Sequence, residues 1–113
     1  MRLTMLLQPV ERLDEAARFY RETLGFREAM RDGERFALYE TGALRIALVA
    51  GEERLVDRPA LAYGVDDVDC KVDDLCAAGA RVLRAPENGP HERRAVLADP
   101  GGQPFVLTAR FRP

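Results

Sequence analysis

The sequence has 113 residues, 47% of them hydrophobic and 32% charged, and its 17 Lys and Arg residues against 19 Asp and Glu residues give a formal net charge of −2. This length and composition predict one globular domain, residues 1–113, that buries a core without disulfide bonds or a structural metal. The charge balance argues against a basic nucleic-acid-binding surface, and no apolar run approaches the roughly 20 residues of a membrane span. We therefore expect a cytoplasmic protein that binds neither nucleic acid nor membrane.

The first half of the chain alternates strand-like and helix-like patterns. A short apolar run at 3–8, closed by Pro9, predicts a buried strand. Apolar residues then recur at helical spacing from Leu13 to Leu24, and Gly25 ends the pattern as a left-handed cap would. Three strand-like segments follow, at 26–30, 35–40 and 43–49. Residues 1–52 are therefore predicted to form a βαβββ module.

The same order of elements begins again after a polar connection, over residues 58–113. A strand-like segment at 60–65 leads into Asp67, a good N-cap for a helix that Gly79 ends. Strand-like segments follow at 81–85, 93–98 and 103–109. The match extends to single positions, because Val10-x-x-Leu13-Asp14 recurs as Val65-x-x-Val68-Asp69. The chain is therefore predicted to contain an internal duplication.

Two such modules predict an α+β fold. One βαβββ unit has a helix on one face of its sheet and needs a cover for the other face. We expect the two tandem modules to form a curved mixed sheet, with helices on the convex face and a concave cleft on the other. A small ligand would bind in that cleft.

Turn and packing motifs along the chain resemble those of the vicinal oxygen chelate superfamily, which contains glyoxalases, bleomycin resistance proteins and extradiol dioxygenases. The motifs are Phe19-Tyr20-x3-Leu24-Gly25-Phe26, Val65-Asp66-Asp67-Val68, Ala77-Ala78-Gly79-Ala80 and Asp99-Pro100-Gly101-Gly102-x-Pro104-Phe105. The resemblance spans residues 3–109 and implies the fold just described. The chain departs from the family at Arg12, where relatives usually have a capping Asp.

The resemblance also implies where a metal would be held. Enzymes of the superfamily bind a divalent ion through His, Gln or Glu side chains on their strands, and these positions fall on Met5, Ala47, Ala60 and Val106. Alkyl side chains supply no ligand atom, and a thioether is a weak, soft donor. We therefore expect no metal, no other cofactor and no catalytic residue.

Strand pairing predicts which side chains line the cleft. A two-residue turn at Thr41-Gly42 places Phe36, Leu38 and Arg45 on the same face as Ala47. Pairing across 99–102 places Arg93, Ala95 and Leu97 with Val106, and His91 follows in phase. The predicted ligand-binding residues are Met5, Phe36, Leu38, Arg45, Ala47, Ala60, His91, Arg93 and Val106.

Two of these residues allow a structural interpretation as well as a functional one. Arg45 either extends to the rim or pairs with a Glu, or else it contacts an anionic or carbonyl group of a ligand. His91, the only histidine, is either a solvated loop residue or a ring that stacks on a bound molecule.

The resemblance implies a metal-free binding protein like the bleomycin resistance branch, in which a homodimer sequesters a drug or another small organic molecule and so confers antibiotic resistance. The alternative is a metal-dependent lyase, isomerase or dioxygenase of the glyoxalase type. A third possibility is an interaction module whose cleft is filled by its own side chains.

Overall fold

The computed structural model describes residues 1–111, which divide into two compact units. The N-terminal unit is Met5–Ala60, and the C-terminal unit consists of residues 1–4 and 61–111. The elements of the first half are strand β1 (Arg2–Pro9), helix α1 (Leu13–Arg18), and strands β2 (Arg27–Asp32), β3 (Phe36–Glu40) and β4 (Arg45–Val49). Those of the second half are strand β5 (Ala60–Gly64), helix α2 (Val68–Ala77), and strands β6 (Arg81–Asn88), β7 (Glu92–Ala98) and β8 (Pro104–Arg110).

Strand pairing follows one plan in both units. The N-terminal unit has the order β2-β3-β4-β1, in which β1 runs parallel to β4 and the other pairs are antiparallel. The C-terminal unit has the order β5-β8-β7-β6, with β5 parallel to β8, and the start of β1 lies beside β5, where the Thr4 hydroxyl donates to the Ala62 carbonyl at 3.0 Å. The predicted α+β class, with two βαβββ modules and mixed strand pairing, is confirmed.

Helix α1 buries one side against the sheet of the N-terminal unit. Leu13 and Ala17, one helical turn apart, pack with Ala37, Tyr39 and Leu48. The helix begins at an extended Arg12, whose side chain makes no capping hydrogen bond.

The helical segment of the first half departs from its predicted form. A continuous α-helix to Leu24 is wrong, because the backbone widens into a π-helical turn over Phe19–Thr23. The Leu24 amide there donates to the Phe19 carbonyl, at 3.0 Å. This wider turn accompanies packing of the Tyr20 ring on Tyr39, with ring centroids 5.7 Å apart. The chain then leaves the helix through Gly25 at φ 75°.

Helix α2 packs in the same way on the sheet of the C-terminal unit. Val68 and Val72 contact Ala95, Leu97 and Leu107. The predicted cap is confirmed, since the Asp67 carboxylate accepts the Cys70 amide at 3.0 Å. In the part of the chain that the structure describes, no helix is long and apolar enough to span a membrane.

The register of the β3-β4 hairpin differs from the prediction by two residues. Leu38 pairs with Ala47 rather than with Arg45, because the two central turn residues are Gly42 and Ala43, with Gly42 at φ 99°. Side chains alternate with a period of two, so this shift leaves every side chain on its predicted face. Phe36, Leu38, Arg45 and Ala47 do share the face turned away from α1.

The register of the β7-β8 hairpin differs by one residue, and the predicted faces on β7 are therefore wrong. Val96, not Ala95, pairs with Val106, since Ala98 pairs with Pro104 and leaves residues 99–103 in the connection. Gly102, at φ 91°, accommodates the extra residue. Ala95 and Leu97 consequently pack on α2 instead of facing away from it. Strand β6 also continues through Pro86 to Asn88, where a loop is predicted, with register shifts before Glu87.

Candidate functional site

The open face of the N-terminal unit, meaning the sheet face opposite α1, carries most of the predicted site. Its central row of side chains, the apolar row, crosses all four strands and consists of Met30, Leu38, Ala47 and Leu7. Leu38, Ala47 and Leu7 are buried, and Met30 at the edge is 36% exposed. Met5 lies two residues before Leu7 on β1, and Phe36 lies two residues before Leu38 on β3. Both side chains are therefore on the same face as the apolar row. The structure thus brings five predicted residues, Met5, Phe36, Leu38, Arg45 and Ala47, onto one surface.

A second row on the same face is charged and consists of Arg27, Glu40 and Arg45. Arg27 pairs with Glu40 across β2 and β3, and Glu40 pairs with Arg45 across β3 and β4. Arg45 Nε lies 3.0 Å from Glu40 Oε1, yet it is not aligned for a hydrogen bond and has no other acceptor among the described residues. About a third of each of these two side chains is exposed, 39% for Arg45 and 35% for Glu40. Of the two interpretations of Arg45, the pairing with a Glu is therefore observed, and its outer side remains accessible.

The open face of the C-terminal unit, opposite α2, is built on Val106. Val106 pairs with Ala62 on one side and with Val96 on the other, and all three are buried. Ala60 is also buried and lies two residues before Ala62, so it has the same orientation on β5.

Arg94 lies on this second open face and was not expected from the sequence. Its strand partners are Thr108 and Glu87, and only 6% of the residue is exposed. Arg94 Nε lies 3.7 Å from Glu87 Oε1, and Nη1 lies 3.8 Å from Glu92 Oε1. Arg84 donates to Glu87 at 2.6 Å, and this hydrogen bond is the main reason that the pKa of Glu87 lies below its usual value.

The turn between β6 and β7 packs against the Arg94 guanidinium at Gly89. The Gly89 amide donates to the Glu92 carbonyl at 2.7 Å, and a Cβ on Gly89 would lie 2.5 Å from Arg94 Nη1. A side chain at position 89 would therefore displace the Arg94 guanidinium. His91 is exposed in this turn.

Arg93 does not face the same side as Val106, which corrects its predicted placement. The one-residue difference in register turns it toward α2, where Nε and Nη2 donate to the Asp69 carboxylate at 2.6 and 2.9 Å. These hydrogen bonds lower the pKa of Asp69. Arg93 thus links β7 to α2, and Arg94 has the orientation that was predicted for Arg93.

A sequence model described as a glyoxalase-like domain matches residues 4–108. The chain belongs to the glyoxalase-like domain family. It is 35% identical over 104 residues to an uncharacterized protein of Mycolicibacterium smegmatis, which covers 91% of this chain and 89% of that protein.

Two solved structures share the fold of this glyoxalase-like chain. Methylmalonyl-CoA epimerase from Mycobacterium tuberculosis is 22% identical, with a TM-score of 0.75 over 98% of this chain and 89% of that one. A member of the glyoxalase/bleomycin resistance protein/dioxygenase superfamily from Vibrio splendidus 12B01 is 16% identical, with a TM-score of 0.67 over 95% and 98%. The match of the glyoxalase-like domain model, together with this shared fold, confirms the resemblance to the vicinal oxygen chelate superfamily.

The residues at the four positions where the resemblance implies metal ligands do not fit a metal in this glyoxalase-like chain. Met5 and Ala47 lie on one open face, Val106 lies on the other, and Ala60 begins β5. None of them offers an imidazole, carboxylate or thiolate. Within residues 1–111, no group of three or more His, Cys, Asp or Glu residues is placed to hold a metal ion.

Proposed function

We propose that this glyoxalase-like chain binds a small organic molecule, a drug or a metabolite, without a resident metal and without converting it. The observation that carries the proposal is the side-chain chemistry of Met5, Ala47, Ala60 and Val106, which replaces metal ligands with apolar groups. This is the mode of the bleomycin resistance branch, in which sequestration protects the cell from an antibiotic.

The open face of the N-terminal unit supports this proposal. Small-molecule sites are mostly apolar, with a few polar groups that fix the orientation of the ligand. The apolar row supplies the first property, and Arg45 and Glu40 beside it supply the second. Ala47 is the smallest side chain of the apolar row and lies between Leu38 and Leu7, and all three are buried.

We further propose that the protein works in the cytoplasm as a homodimer. Phe19 and Leu24, at either end of the π-helical segment, are 51% and 44% exposed, and such apolar side chains are commonly covered in an assembly. Sedimentation equilibrium at micromolar protein is expected to give twice the mass of the chain, and a monomer at all concentrations would contradict the dimer.

The metal-free part of the proposal is tested by stripping the purified protein with a chelator and refilling it with Ni²⁺ or Zn²⁺. We expect no stoichiometric metal by mass spectrometry and no change in the melting temperature. Stoichiometric binding that raises the melting temperature would contradict the proposal and favour a metal-dependent lyase, isomerase or dioxygenase of the glyoxalase type.

The binding part is tested by a thermal-shift screen of apolar drugs and metabolites, bleomycin included. At least one chemical class is expected to raise the melting temperature by about a degree or more, because a ligand that binds only the folded state stabilises it. If no compound does so, the proposed function is wrong and the open face is closed by its own side chains.

A further inference from the structure

We propose that the charged row of Arg27, Glu40 and Arg45 selects ligands that carry a negative charge, so that the natural ligand is an organic acid with an apolar body. This inference rests on the proposed function and goes beyond it by naming the chemical class. It uses only residues of the N-terminal unit.

Arg27, Glu40 and Arg45 are direct partners on three neighbouring strands, so their side chains leave the same face side by side. Adjacent strands are about 4.8 Å apart, which places the two arginine backbones about 10 Å apart with Glu40 between them. An arginine side chain is long enough to cover half of that distance, so a carboxylate or a similar oxyanion bound between Arg27 and Arg45 would be within reach of both guanidinium groups.

The charged row has an excess of positive charge. Two guanidinium groups flank one carboxylate at this end of the open face. Glu40 approaches Arg45, and Arg27 forms no hydrogen bond or ion pair through its side chain within the described residues. A guanidinium has five N–H donors and binds carboxylates in a bidentate manner, so donors remain available after the Glu40 contact. A negatively charged ligand group would restore the balance, whereas a neutral one would not.

The apolar row lies directly beside the charged row on the same face of the sheet. Leu38 is two residues from Glu40 on β3, and its partner Met30 is on β2, the strand of Arg27. A highly charged ligand such as a polyphosphate would place charges over Leu38 and Ala47, both of which are buried apolar residues. A single anionic group joined to a hydrocarbon or aromatic body matches both rows.

The experiment compares matched acids and amides by isothermal titration calorimetry and thermal shift. Phenylacetate is paired with phenylacetamide, and octanoate with octanamide, so that only the charge changes within a pair. We expect each acid to bind at least about tenfold more tightly than its amide at low ionic strength, and to weaken as salt is added.

Three single variants locate the effect. Arg27→Gln and Arg45→Gln are each expected to weaken acid binding by about fivefold or more and to leave amide binding within about twofold. Arg18→Gln is the control, because Arg18 is exposed on α1, on the other side of the sheet, and the substitution removes the same charge. Circular dichroism confirms that each variant is folded.

The outcomes separate this inference from the proposed function. If acids and amides bind equally, or if Arg18→Gln weakens acid binding as much as the other two variants, the charged row does not select anions and the inference is overturned. If only neutral apolar compounds stabilise the protein, the inference fails while the proposed function stands. If no organic compound binds at all, both fail.

Discussion

Tyr39 is fully buried, and its hydroxyl lies between a carboxylate and a helix carbonyl. The hydroxyl donates to Glu28 Oε1 at 2.7 Å and lies 3.4 Å from the Ala17 carbonyl oxygen. Glu28 is also contacted by Arg31 at 3.5 Å and by Arg21 at 3.8 Å. Burial, and then the hydrogen bond to Glu28, raises the pKa of Tyr39 well above its ordinary value.

Replacing Tyr39 by Phe is expected to lower the free energy of unfolding by about 1–2 kcal/mol at neutral pH, because Glu28 loses a buried donor. A raised pKa in the folded state means that this contribution is fully present below the unfolded pKa, near 10, and is lost as the pH rises above it. The difference between wild type and variant, measured by urea unfolding, should therefore shrink above about pH 10. A difference that stays constant with pH would contradict the shifted pKa.

Ala47 is fully buried at the centre of the apolar row, between Leu38 and Leu7. Ala47→Leu is expected to cost about 1–3 kcal/mol of stability through overpacking and to abolish ligand-induced stabilisation in the thermal-shift screen. Ala43→Leu is the matched control, since Ala43 is exposed in the β3-β4 turn. Retained ligand binding in a folded Ala47→Leu protein would remove the apolar row from the site.

At the scale of single elements, the two helices begin differently. Asp67 accepts the Cys70 amide at the start of α2, whereas Arg12 occupies the same position at the start of α1 with an extended backbone and no capping bond. Arg12→Ser is expected to raise the free energy of unfolding by about 1 kcal/mol, because a serine hydroxyl there can accept a first-turn amide. Urea unfolding measures the change, with Arg18→Gln as a control for the loss of the charge. Equal stability of Arg12→Ser and wild type would show that the cap does not form.

The two adjacent arginines of β7 offer a test of the register. Arg93→Gln is expected to lower the urea midpoint, because Asp69 loses both hydrogen bonds, while ligand affinity stays within about twofold. Loss of ligand binding without loss of stability in Arg93→Gln would show that Arg93, rather than Arg94, belongs to the open face.

The fold was predictable from the sequence because independent signals agreed. The 3.6-residue period, the Asp67 cap and the helix-ending Gly25 and Gly79 indicated a repeated βαβββ order, and the structure has that order. The π-helical turn was not predictable, since it depends on the packing of Tyr20 against residues distant in sequence.

The site was predictable only as far as each hairpin turn was. The turn between β3 and β4 lies one residue later in the chain than predicted. This difference shifts the pairing register by two residues and keeps Arg45 and Ala47 on the expected face. The turn after β7 has one residue more than expected, so Arg93 was assigned to the open face in place of Arg94. Glu40 and Arg27 were not predicted as neighbours of Arg45, because their placement depends on cross-strand pairing.

For the molecule as a whole, acidic pH is expected to reduce stability. The pKa values of Asp67, Asp69 and Glu87 are lowered by hydrogen bonds from the Cys70 amide, Arg93 and Arg84 respectively. A lowered folded-state pKa gives stability that is present above the unfolded pKa, about 4, and is lost as the pH falls through the folded value. The urea midpoint should therefore be lower at about pH 3 than at about pH 7. An equal midpoint at the two pH values would contradict these pKa shifts.

The length of the connection at 99–103 determines which residues of β8 face the helix and which face the opposite side of the sheet. Because Gly102 takes up one additional residue there, β8 presents Val106 to the open face and Leu107 to the helix. A relative with one residue fewer in this connection would exchange those roles unless a bulge elsewhere restored the alternation. Length variation at this corner is thus a route by which such a scaffold acquires a new binding specificity while its strand sequences stay the same.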